Sequence, residues 1–316
     1  MHARLTASLL LAAGLAGCKP PAPAAPAVVL DPSSPEPTPA GDLPLLRQKA
    51  AMGLVDVVRA ELGPRLADAG DAGPDPGRDA LRAFAIELAL RQDDQPAALQ
   101  QLQVLARDLD RLGPRASGAE RARWLILHGA LLCAQQRYAE ARGQSLEALA
   151  AIDLAREPGL AGDAFRGLAR EQLALGQPDR ALTSVRRAMA VHKDSLAVFE
   201  DGVLAVDILI AAGEPLEAVI AAGKLYDDAI AYVGPSTLAH AEALAAAAAA
   251  TFASGDRDAS STFFADASKI WGELQATRSD LRLPLSARLE RRLGELAHVL
   301  ERSAPAPAEP APKDRN

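Results

Sequence analysis

Two cysteines, five histidines and forty-one acidic side chains are the groups in this 316-residue chain that could do chemistry. Their spacing assembles no catalytic constellation. There is no Gly-x-Ser-x-Gly elbow for acyl transfer. There is no His-Glu-x-x-His pair for a catalytic zinc, since His240-Ala241-Glu242 lacks the second histidine. A phosphate-binding loop is missing too, because Gly223-Lys224 has Ala218 where the first glycine belongs. His128, His192, His240 and His298 are scattered singly, with no companion ligand or base, and read as core-edge or surface side chains. The carboxylates spread along solvated helix faces with arginines at helical spacing. Only a pair brought together from distant segments would change this reading. The chain is therefore expected to catalyse nothing and to hold no metal and no cofactor.

The elements that carry these residues are helical. Hydrophobic residues make up 49% of the chain but aromatics only 3%. The apolar content is mostly alanine and leucine, both strong helix formers, while strand-favouring residues are sparse. A formal net charge of -7, with no basic run, removes the electrostatic footprint that nucleic-acid binding needs.

The first eighteen residues, MHARLTASLLLAAGLAGC, place Arg4 before a short apolar run, Leu5 to Ala13, followed by small residues. That order is a secretory signal, and it is too short to span a membrane. Its end, Leu15-Ala16-Gly17-Cys18, resembles the lipobox of bacterial lipoproteins. The resemblance implies cleavage of a signal peptide at residues 1–17 and acylation of Cys18. Several acyl chains together would hold the protein on a membrane durably, whereas one chain binds only marginally. Lys19, rather than aspartate, after Cys18 implies sorting to the outer membrane, facing the periplasm. With Cys18 lipidated, the one remaining cysteine, Cys133, has no partner for a disulfide and reads as a small buried hydrophobe.

Residues 18–42 carry the lipidated cysteine and a linker with prolines at 20, 21, 23, 26, 32, 35, 37 and 39. Such a segment forms an extended spacer. Residues 303–316 have the same composition and read as a disordered tail.

Between them, residues 43–302 read as helix after helix, punctuated by a short polar turn with a small residue just inside the next helix. The turns begin at Asp93, Gln136, Gly176, Gly213 and Gly255, and the anchor positions fall at 98, 141, 181, 218 and 260. A recurrence of about 40 residues marks a stacked helical array. Glycine or aspartate ends one helix where a left-handed residue is needed, and proline or a polar residue opens the next. The pattern resembles tetratricopeptide repeats, in which a second small residue follows the anchor by seven positions. Here those second positions hold Leu105, Ala148, Ala188, Leu225 and Ala267. Most of the aromatics in the family's first helices are missing, and the period exceeds the family's 34 residues. The expected fold is all-α: a right-handed α-solenoid of antiparallel helix pairs, about five repeats, with capping helices near 43–68 and 284–302.

In that family a concave groove lined by the first helix of each pair binds other proteins. Carried over, the resemblance puts Arg123, Asp163, Arg166, Arg170, Glu200, Asp207 and Glu242 in the groove. Arg166 and Arg170, one turn apart, suit a carboxylate or an acidic peptide; the plainer reading is that all seven are ordinary solvated charges. The family's asparagine-containing carboxylate clamp is absent, since Asn316 is the chain's only asparagine. The function expected is that of a membrane-anchored scaffold or adaptor, exported to the bacterial cell envelope and binding envelope proteins. An envelope enzyme or ligand-binding protein using the groove is the alternative.

Overall fold

Each turn of the repeat is made the same way. The residue that ends the first helix lies in left-handed backbone: Asp93 at φ 58°, Gln136 at 61°, Gly176 at 71°, Gly213 at 79° and Gly255 at 90°. The following N–H then bonds back across the turn, as from Asp94 to Ala89, Arg137 to Leu132, Gln177 to Gln172, Glu214 to Leu209 and Asp256 to Thr251, at 2.8 or 2.9 Å each. This bond satisfies a helix-end carbonyl that would otherwise be orphaned. The next helix starts at once, with Asp94 or Asp256 capping its first N–H groups or with Pro178 or Pro215 in its opening turn.

The structure is a computed structural model and describes residues 42–67, 75–192, 195–278 and 283–303. Residues 1–17, Cys18, the linker up to 41, residues 68–74 and the tail from 304 fall outside the described residues. The described residues all belong to one compact unit. They form thirteen α-helices and one short 3-10 turn, and no strand. Helices α1 (Leu43–Met52) and α2 (Val55–Ala67) come first. Five pairs follow: α3 (Pro76–Arg91) with α4 (Gln95–Leu112), α5 (Gly118–Ala134) with α6 (Tyr138–Ala151), α7 (Pro158–Ala174) with α8 (Pro178–Val191), α9 (Ser195–Ala211) with α10 (Pro215–Val233), and α11 (Leu238–Ser254) with α12 (Arg257–Ala276). Helix α13 (Ala287–Ser303) ends the array. Connections of two or three residues within pairs force antiparallel neighbours.

The small-residue positions are where the helices meet. Ala98, Ala141, Ala181, Ala218 and Ser260 all have zero exposure, and Leu105, Ala148, Ala188, Leu225 and Ala267 are buried as well. Ser260 buries a hydroxyl where the other units have a methyl, and it donates to the Ala248 carbonyl at 2.8 Å. The alanine-rich helix α11 is buried over nearly its whole length, packed between α10 and α12. The first helices of the pairs also touch one another in series, α3 on α5, α5 on α7, α7 on α9 and α9 on α11, so they form a continuous inner layer. The molecule is thus an all-α helical-repeat array of five pairs.

The two ends depart from a plain pair of caps. The expected N-terminal helix over about 43–68 is broken at Gly53, whose φ of 99° turns the chain back. The resulting α1–α2 hairpin reaches both ends of the array. Helix α2 packs on α3, while α1 packs on α9, α10 and α11. Asp56 on α2 pairs with Arg278, just beyond α12, at 3.2 Å. At the C-terminal end, Leu289, Leu293 and Leu296 bury the apolar stripe of α13, which packs against α11 and α12, and Leu285, just before the helix, is buried as well. No helix among the described residues is long and apolar enough to cross a membrane.

Candidate functional site

Several charged residues of the inner layer face one another rather than open water. On α7, Asp163, Arg166 and Arg170 recur at helical spacing, and Arg166 points at the start of α9. Its Nε donates to Asp201 at 2.6 Å, one Nη donates to Glu200 at 3.1 Å, and the other donates to the Ala197 carbonyl at 3.3 Å. Asp163, on the same helix, pairs with it at 3.2 Å. Arg91, from α3, reaches Glu200 from the far side of the layer. Two arginines from different repeats therefore converge on one carboxylate.

His192 completes this cluster. It ends α8, and its ring occupies space left by Gly162, where a Cβ would lie 2.3 Å from the imidazole. Nδ1 donates to Asp201 at 2.6 Å, and Nε2 lies 3.2 Å from the Gly159 carbonyl and 3.4 Å from Asp163. Burial opposes the charged ring, but hydrogen bonds to Asp163 and Asp201 outweigh it and push the pKa up to about 9. Charge balance agrees. With a protonated ring, Arg91, Arg166 and His192 offset Asp163, Glu200 and Asp201. Asp201, fully buried, bridges the two cations with one oxygen each. The same neighbours act on the carboxylates. Burial would raise Asp163, but the His192 hydrogen bond and Arg166 hold it below its ordinary value. Arg91, Arg166 and Arg170 hold Glu200 far below the usual carboxylate range despite its surroundings.

A second set lies further along the layer. Glu242, on α11, is buried, accepts from Ser286 at 2.9 Å and from Arg288 at 2.6 Å. Ser286 also caps α13 through the Leu289 N–H. Asp207, on α9, pairs with Arg292 of α13. Helix α13 thus covers the end of the inner layer with two arginines, one turn apart, set onto two acids.

The residues that the family resemblance assigned to the groove are distributed as follows. Asp163, Arg166, Arg170, Glu200, Asp207 and Glu242 all lie on α7, α9 and α11, the first helices of three consecutive pairs. Asp163, Arg166 and Glu200 form one cluster; Asp207 and Glu242 belong to the α13 contact. Arg166 and Glu242 are buried ion-paired side chains, not solvated ones. Arg170 is exposed and makes no hydrogen bond or ion pair among the described residues. Arg123 stands apart on α5, beside a cavity of about 20 Å³ shared with Asp79, Asp108, Glu120 and Trp124. That space suits about one water. Sequence reasoning left His192 single, and the fold gives it Asp163, Asp201 and Arg166. It also passed over Arg91, Asp201, Arg288 and Arg292. Only the last two carried a signal, an i, i+4 pair of arginines on an amphipathic helix.

Two further groups bear on chemistry. Glu171, on α7, is 1% exposed; one oxygen accepts from Ser145 at 2.7 Å, and the other is buried with no hydrogen-bond partner among the described residues. Burial lifts its pKa to about 7. Cys133 is partly buried, and burial, with Glu171 nearby, pushes its thiol up to about 12, far from a reactive thiolate. Among the described residues no group of three or more side chains is arranged to hold a metal ion.

No model of a known protein family matches the chain. No curated protein matches it significantly.

Proposed function

We propose that the chain is a membrane-anchored lipoprotein whose TPR-like helical array serves as a protein–protein interaction scaffold or adaptor in the bacterial cell envelope. In this reading Cys18 is the lipidated first residue of the mature chain, the proline-rich residues after it are a spacer, and the array faces the periplasm from the outer membrane. The observation that carries the reading is the fivefold repetition of one helix pair, with the first helices side by side in a single layer. Stacked helix pairs of this kind create extended binding surfaces from many weakly individual contacts. The partner is an envelope protein; nothing in the charge pattern favours nucleic acid.

The test begins with lipidation. Growing cells that express the chain are given radiolabelled palmitate. The wild-type protein is expected to carry label and to sediment with membranes, and Cys18→Ala is expected to do neither. Equal labelling of the two, or an N-terminus of the mature chain other than Cys18, overturns the anchored part of the proposal.

A further inference from the structure

The second helices of the five pairs (α4, α6, α8, α10 and α12) and the terminal α13 each expose at least two charged side chains. The α1–α2 hairpin exposes none. Between Asp42 and Ala67 every exposed residue is leucine, valine, methionine, alanine, proline or glycine. Leu45, Met52, Leu54 and Val57 are 52, 38, 44 and 46% exposed. On α2 the exposed positions 57, 60, 64 and 67 recur at helical spacing and form one stripe. The charges of the hairpin are half-buried and partnered instead. Arg47 pairs with Glu87, Lys49 with Glu61, Arg65 with Asp42 and Asp56 with Arg278, while Arg59 donates to Gln92. A single exposed leucine is ordinary, but a continuous apolar outer face marks contact with a protein or a membrane.

Where the chain enters the fold separates these two. With Cys18 as the anchor, the residues that follow it join the folded body at Asp42, which opens this hairpin. A proline-rich spacer is stiff over only several residues. The tether therefore keeps this end of the body near the bilayer at a standing high effective concentration, an advantage that a second copy or a soluble partner lacks. The hairpin's charges, four basic and three acidic, also lean positive in a chain of net charge -7, which suits an anionic surface. Neither helix is long and apolar enough to cross a membrane, so the contact lies in the interface.

We infer, on the lipid-anchored reading above, that the outer face of the α1–α2 hairpin rests on the membrane that holds the acyl chains, with Leu45, Met52, Leu54 and Val57 entering the boundary between headgroups and hydrocarbon. The contact turns a body free to tumble on its tether into one held by its first hairpin.

The test uses the acylated full chain with Val57→Cys or, separately, Glu147→Cys on the exposed side of α6, each with Cys133→Ala so that one thiol takes the dye. An environment-sensitive dye is attached, and the protein is reconstituted into vesicles of phosphatidylethanolamine and phosphatidylglycerol, with and without lipid bearing a nitroxide near the headgroup. The dye at 57 is expected to lose at least about half its fluorescence to the nitroxide, and the dye at 147 to lose little, because an interfacial helix sits within the headgroup boundary. Equal quenching at the two positions overturns the inference. So does a dye at 57 that is shielded from aqueous iodide yet untouched by the nitroxide lipid, since a second copy or the chain's own residues then cover the face. Flotation separates the two levels. A chain that floats with the vesicles but is not quenched at 57 keeps its anchor and lacks this contact. A chain that leaves the cell without acyl groups and stays at the bottom of the gradient overturns both.

Discussion

Asp201 accepts from Arg166 with one oxygen and from His192 with the other, and all three side chains are shielded from solvent. Removing one member of a buried ion cluster costs about 3–5 kcal/mol, because the remaining charges lose their compensation while staying buried. Asp201→Ala is expected to lower the unfolding free energy by that order in urea titrations. Arg137→Ala, which breaks the exposed pair with Glu140, is expected to leave the midpoint unchanged. The cluster also sets a pH dependence. His192 binds its proton more tightly in the folded chain than in the unfolded one, where its pKa is 6.5. Its contribution, roughly 3 kcal/mol at most, is full below pH 6.5 and is lost as pH rises through about 9. Glu171 acts in the same direction, with full effect below its ordinary 4.5 and loss as pH rises through about 7. The urea midpoint is therefore expected to fall between pH 5 and 9.5. His192→Gln is expected to flatten the upper half of that fall. A midpoint that climbs with pH over this range contradicts the assignment.

At the scale of the helix pair, the anchor position decides how closely two helices approach. Ala181 has no exposed surface and sits in an apolar cluster with Ala169, Val185, Leu204 and Ile208, and close-packed interiors leave little space for added carbons. Ala181→Leu is expected to destabilise by about 1–3 kcal/mol through overpacking, measured by thermal or urea unfolding. Much of this level was legible in the sequence. The left-handed turn residue, the anchor and the position seven further on recur locally, so a single chain displays them five times. All ten small or apolar positions read this way are buried. Gly53 in Met52-Gly53-Leu54 also carried a local sign of a helix end, yet the leucines and valines on both sides read as one helix. The His192 cluster was not legible. Gly159 and Gly162 come from α7, His192 from the end of α8, Asp201 from α9 and Arg91 from α3, and no short-range spacing connects them.

Across the whole molecule, the contacts that local pattern could not reveal are those that join the two ends. Asp56 and Arg278 are 222 positions apart, and Gln92, at the end of α3, donates to the Pro284 carbonyl while accepting from Arg59. These bonds tie the first pair, the last pair and the N-terminal hairpin together. They also place α1 and α13 over the inner layer, so that most of the charges expected to face a partner are paired within the chain. Arg170 is the cation of that layer left exposed and without a hydrogen bond or ion pair among the described residues, which makes it the position from which a partner is most directly sought. With a photoreactive amino acid at position 170, the full-length protein is irradiated in living cells and its adducts are identified by mass spectrometry. A scaffold that binds through its inner layer gives a discrete adduct with an envelope protein, absent when the same group sits at the exposed position 147 on α6. Adducts at 147 but not at 170, or none at either, contradict it.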